Sequence, residues 1–104
     1  MKKESWEQDL SAIRDDIDLL DDKLLSLIEE RMSLVTKIGL IKKQHHLTSL
    51  DQTREIKIKQ HLEEMIEDKS KSNYIIPIFE TIMATSKAFQ SNEIIRDDRK
   101  NDSN

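Results

Sequence analysis

The sequence predicts an all-α protein, and three observations carry that reading. Its 104 residues include one Gly and one Pro, too few for the tight turns on which sheets and Rossmann folds depend. Charged residues make up 37% of the chain and hydrophobic ones 36%, so a single domain has much helix surface and little core. Apolar residues also recur at 4-3-4-3 spacing from Trp6 through Leu10, Ile13, Ile17, Leu20, Leu24 and Leu27, and again at Leu34, Ile38 and Ile41. That rhythm is the inward stripe of a helix packed along another helix.

The first helix is expected from near Ser5 to about Lys43, with no Gly or Pro before Gly39. Such a rod would be about 57 Å long, whereas a compact monomer of this size is only about 33 Å across. Its seam cannot be buried within one chain, which points to a homodimer with two long helices packed on each other in antiparallel fashion.

After His45–Gln52, which lacks apolar periodicity, Ser49 and Gln52 have the spacing of a capping box. A second helix is predicted over about 51–68, with Ile58, Leu62 and Met65 inward, and the same rhythm carried backwards places Glu55 and Asp51 on that face. Lys-Ser-Lys-Ser-Asn at 69–73 forms the next break. Asn73 is the expected N-cap of a third helix with Pro77 in its first turn. The third stripe runs Ile75, Phe79, Ile82, Ser86, Gln90, so it too ends in polar residues. Residues 1–5 are expected to be a flexible N-terminus, 6–91 the folded domain, and 92–104 a polar, disordered tail with little to bury.

Several functional classes are excluded by composition. No cysteine is present, which removes disulfide frameworks, thiolate metal sites and thiol nucleophiles. A net charge of −4 with interleaved signs offers no general attraction for nucleic acid. The start MKKESWEQD has no apolar core behind its lysines, and no window reaches membrane-span length, so a cytoplasmic protein with no membrane partner is expected. His45, His46 and His61 have no metal-site spacing and are read as exposed.

What remains is a set of polar residues on inward stripes. Arg31 interrupts the first seam, and a guanidinium there requires an anion, either a structural carboxylate or a ligand. Lys42 lies eleven residues further on, about three turns and about 16 Å along the same face. Arg14 is seventeen residues before Arg31, about 25 Å away along the axis and about 100° around it, so one chain cannot bring both to one small molecule. An antiparallel partner can. The pattern suggests two equivalent pockets per dimer, each with Arg31 and Lys42 of one chain, Arg14 of the other, and Glu55, Ser86 and Gln90 closing the rest. Such a pocket suits a small molecule with two carboxylates and a hydroxyl.

The set Arg14, Arg31, Lys42, Asp51, Arg54, Glu55, Ser86 and Gln90, with the run Asp51-Gln52-Thr53-Arg54-Glu55, resembles the all-helical (type II) chorismate mutase family. The segments IRDDIDLLDDKLLSLIEERM, KIGLIKK and IFETIMATSKAFQ resemble it too, and the likeness spans about residues 6–91. The resemblance implies an intertwined three-helix homodimer with shared sites. It also implies a cofactor-free, metal-free Claisen rearrangement of chorismate to prephenate in aromatic amino acid biosynthesis. By resemblance, Arg31 and the other protomer's Arg14 bind the two carboxylates, and Lys42 and Gln90 donate to the ether oxygen. Glu55, with the backbone around Asp51, receives the ring hydroxyl; Ser86 assists a carboxylate and Arg54 orients the acidic pair. Lys42, Gln90, Arg31 and Glu55 are then the catalytic residues.

Taken singly, each of these residues has a plainer reading: Arg31 as a buried ion pair, Lys42 as a helix-end lysine, Glu55 and Asp51 as first-turn acids. The plainer readings do not account for all eight together. Three alternatives compete: an isochorismate pyruvate lyase, from whose pattern Glu55 departs; a mutase acting on the 4-amino analogue of chorismate; and a noncatalytic helical dimerisation module. Leu50 stands where some relatives carry a further basic residue.

Overall fold

A computed structural model describes residues 4–48 and 51–102, with side chains described as far as residue 92. Three α-helices follow in order, α1 (Ser5–Gln44), α2 (Gln52–Met65) and α3 (Ser72–Asp102), with a 3-10 turn at Lys69–Lys71 before α3. No strand occurs among the described residues, and no described helix is long and apolar enough to cross a membrane. Met1–Ser33 and Leu34–Asn104 form two units.

The first unit is the greater part of α1. Its start is set by the Glu4 carbonyl, which accepts from the amides of Glu7 at 3.0 Å and Gln8 at 3.3 Å, with the Glu7 carboxylate in the first turn favouring the helix dipole. The predicted seam lies open along it: Ile13 is 57%, Leu20 62% and Leu27 61% exposed.

The second unit contains the end of α1, α2 and α3. Lys59 of α2 bridges to Glu80 of α3 at 3.5 Å, and Glu55 of α2 pairs with Lys87 of α3. The rising number on one helix meets the falling number on the other, so α2 and α3 run antiparallel. Glu55, Ile58 and Leu62 are half-buried, as the periodicity predicts, whereas Asp51 and Met65 at the two ends of that expected stripe are exposed; Ile75, Phe79 and Ile82 of α3 are half-buried. The buried residues among those described are Gly39 on α1 and Met83, Ser86 and Gln90 on α3.

Element boundaries depart from the sequence reading in four places. Ser49 lies outside the described residues, and the N-cap of α2 is Asp51, whose carboxylate accepts from the Arg54 amide at 2.9 Å. α2 stops at Met65 because Ile66 turns extended (ψ 117°), and Ile66 is half-buried where Met65 is 65% exposed. Asn73 is not the cap of α3. Asp68 opens the turn before it, accepting from the Ser70 amide at 3.1 Å and the Ser70 hydroxyl at 2.6 Å. α3 accordingly starts at Ser72 and Pro77 falls inside it, where its missing N–H costs one bond to the Asn73 carbonyl. The α3 backbone also continues past Ser91, where the apolar stripe ends, to Asp102, with no Gly or Pro after Pro77 to stop it.

The end of α1 is tied off by two bonds, Leu47 N–H to the Lys42 carbonyl at 2.7 Å and His46 N–H to the Lys43 carbonyl at 3.2 Å. These are the paired bonds of a Schellman cap, and they need a left-handed residue between them. His46 supplies it at φ 53°, a place usually taken by glycine.

Candidate active site

The second unit gathers most of the predicted polar set. Lys42 is half-buried in the last turn of α1, and its own carbonyl is one of the two that the Schellman cap engages. The cap therefore fixes the backbone that presents this ammonium. At the start of α2, Asp51 is exposed and acts through local geometry, its carboxylate on the Arg54 amide and its carbonyl accepting from Glu55 N–H at 3.2 Å. Arg54 meets Asp51 through its backbone, and its side chain is exposed.

On α3, Ser86 and Gln90 are 8% and 6% exposed, beside Met83 at 7%. Burial of two polar side chains in a unit with so little core is unusual, and each is hydrogen-bonded. Ser86 Oγ donates to the Ile82 carbonyl at 2.6 Å, one turn earlier on the same helix. Gln90 Nε2 donates to the Val35 carbonyl of α1 at 3.2 Å. That bond brings α3 to α1 on the face that carries Gly39, one turn beyond Val35. One N–H of the amide is thereby committed and the other is left for a further acceptor.

Glu55 is half-buried and its carboxylate is paired with Lys87. Lys87 is the site residue that sequence reasoning missed. It sits directly after Ser86 and three residues before Gln90, but a lysine flanking an apolar stripe reads as a side chain reaching for water.

Arg14 and Arg31 belong to the first unit. Arg14 is exposed and edges an open depression with Trp6, Leu10 and Ser11, while Arg31 is half-buried. Both lie on the same continuous helix, so the about 25 Å between them is fixed within one chain. His45, His46 and His61 are exposed, as expected.

This helical protein buries an amide and a hydroxyl and also carries a half-buried carboxylate–lysine pair, groups of the kind that suit a small polar ligand. Comparison with known proteins places it more narrowly. The family model for chorismate mutase type II matches residues 13–91. Over 93 residues the chain is 32% identical to a chorismate mutase of Methanocaldococcus jannaschii, a match that covers 88% of this chain and 94% of that protein. The chain belongs to the type II chorismate mutase family, and its class of enzyme is isomerase.

Proposed function

We propose that this protein converts chorismate to prephenate in aromatic amino acid biosynthesis, as a homodimer whose two sites each draw on both protomers. The observation that carries the reading is the buried Gln90 amide, held by the Val35 carbonyl at 3.2 Å with a second N–H to give. A neutral donor fixed in this way suits an ether oxygen that gains negative charge as its bond to carbon breaks. Its hydrogen bond strengthens in the transition state, so it lowers the barrier rather than merely tightening binding. Lys42, on its capped turn, gives the same oxygen a charged donor.

The rearrangement moves electrons around a six-membered ring within one molecule. The protein therefore needs no nucleophile and no proton relay, only a folded substrate and a matched electrostatic field. Arg31 and the partner's Arg14 hold the two carboxylates, for which a planar guanidinium gives bidentate contact. Glu55 accepts from the ring hydroxyl, with its backbone pinned by the Asp51 carbonyl, and Arg54 keeps the acidic turn in place. Ser86 reaches a carboxylate by rotating its hydroxyl away from Ile82. The open seam on the first unit supports the dimer, since Ile13, Leu20, Leu24 and Leu27 are each more than half exposed in the single chain.

Titration with a rigid dicarboxylate mimic of the rearrangement transition state tests the reading. One saturable site per chain is expected, weakened at least about tenfold by Arg31→Ala, the scale of a lost charge-assisted contact. No saturable binding would leave a dimerisation module in its place.

A further inference from the structure

Glu55 does not stand alone. Its carboxylate meets the Lys87 ammonium across the α2–α3 interface, with side chains 30% and 39% exposed respectively. The second bridge between these helices, Lys59–Glu80 at 3.5 Å, is more exposed on both sides, at 44% and 49%. One bridge is therefore at the rim, while the other borders the face that buries Ser86 and Gln90.

A carboxylate paired with an ammonium still offers lone pairs to a neutral hydroxyl, but its net negative potential is largely cancelled. A second cation brought to it meets the attraction of the carboxylate and the repulsion of the lysine together. We infer that Lys87 is a specificity-determining residue: through Glu55 it favours a substrate with a neutral hydroxyl over the analogue that carries an ammonium at the same ring carbon. The inference rests on the assignment of Glu55 to the ring hydroxyl. In chemical terms, Lys87 makes the Glu55 position a hydroxyl site and keeps it from being a cation site.

The test compares kcat/KM for chorismate and for its 4-amino analogue in the full chain and in Lys87→Met, Lys87→Arg and Lys59→Met. In Lys87→Met the hydroxyl-over-amino ratio is expected to fall roughly tenfold, about 1.4 kcal/mol of discrimination. Lys87→Arg keeps the ratio within about twofold because the charge is retained, and Lys59→Met leaves it unchanged because that pair is peripheral. Lys87→Gln is read in the same way should the methionine variant not fold. A ratio unaltered by loss of the Lys87 charge overturns the inference, as does an equal shift in Lys59→Met, which would make both lysines mere struts. A wild-type chain that turns over neither substrate removes the functional reading and the inference with it. A wild-type chain active on chorismate with a Lys87-independent ratio removes the inference alone.

Discussion

Leu20→Ala probes the proposed dimer through the most exposed leucine on the α1 seam. Leu20 is 62% exposed in the single chain. Complete burial of a leucine side chain is worth about 1.5–3 kcal/mol, so association can recover roughly 1–2 kcal/mol from this residue in each protomer. A two-fold dimer contains the position twice, which brings the loss to about 2–4 kcal/mol per dimer. At about 1.4 kcal/mol per factor of ten, the dissociation constant should weaken by about 30-fold to several hundredfold. Sedimentation velocity over a dilution series measures it, with far-ultraviolet circular dichroism to confirm that the helices persist. Asp22→Ala, two residues further along and exposed, is the control and should change the constant less than about threefold. A Leu20→Ala constant within threefold of wild type, or an equal loss in Asp22→Ala, would refute the seam as the association surface.

Three other outcomes follow from the site. Lys42→Ala should lower kcat by about two to three orders of magnitude, the scale of about 3–4 kcal/mol for one donor to a developing oxyanion; near wild-type turnover contradicts the role of that ammonium. Mixing inactive Arg14→Ala and Lys42→Ala chains should restore part of the activity, since a heterodimer contains one site with neither substitution. No recovery after confirmed subunit exchange argues that the sites are not shared. His46→Gly relieves a left-handed residue at φ 53°. That strain costs about 1–2 kcal/mol, and glycine gives back about 0.4–1 kcal/mol through the unfolded chain, so unfolding free energy should rise by about 0.5–1 kcal/mol. Denaturation that shows no gain would mean that the left-handed backbone at His46 carries no net strain.

What could be read from the residues was what periodicity encodes. The half-buried face of α2 at Glu55, Ile58 and Leu62, and the α3 stripe from Ile75 to Gln90, follow directly from 3.6-residue spacing. Buried Ser86 and Gln90 stand out because they occupy positions where that spacing asks for apolar side chains. Boundaries were less legible. Asp68 bonds to Ser70 so locally that it can open a 3-10 turn or cap a helix, and because that turn runs straight into α3 at Ser72, ahead of Asn73, Pro77 lies beyond the first turn. The Schellman cap was hidden because His46, not glycine, occupies the left-handed position. Lys87 was hidden for a different reason. A lysine's role depends on what lies across the interface, and the pairing of α2 with α3 is a tertiary fact that one helix's pattern does not encode. Arg14 and Arg31 show the same limit at a larger scale, because their proposed meeting depends on a second chain.

Catalysis of one particular bond rearrangement is tested most directly by product-resolved turnover of chorismate. With purified protein and no added cofactor or metal, loss of chorismate should be matched one-for-one by prephenate, and Lys42→Ala should abolish nearly all of it. Pyruvate with an aromatic acid as the product would reveal a lyase on the same scaffold. Chorismate left unconsumed would contradict the account altogether.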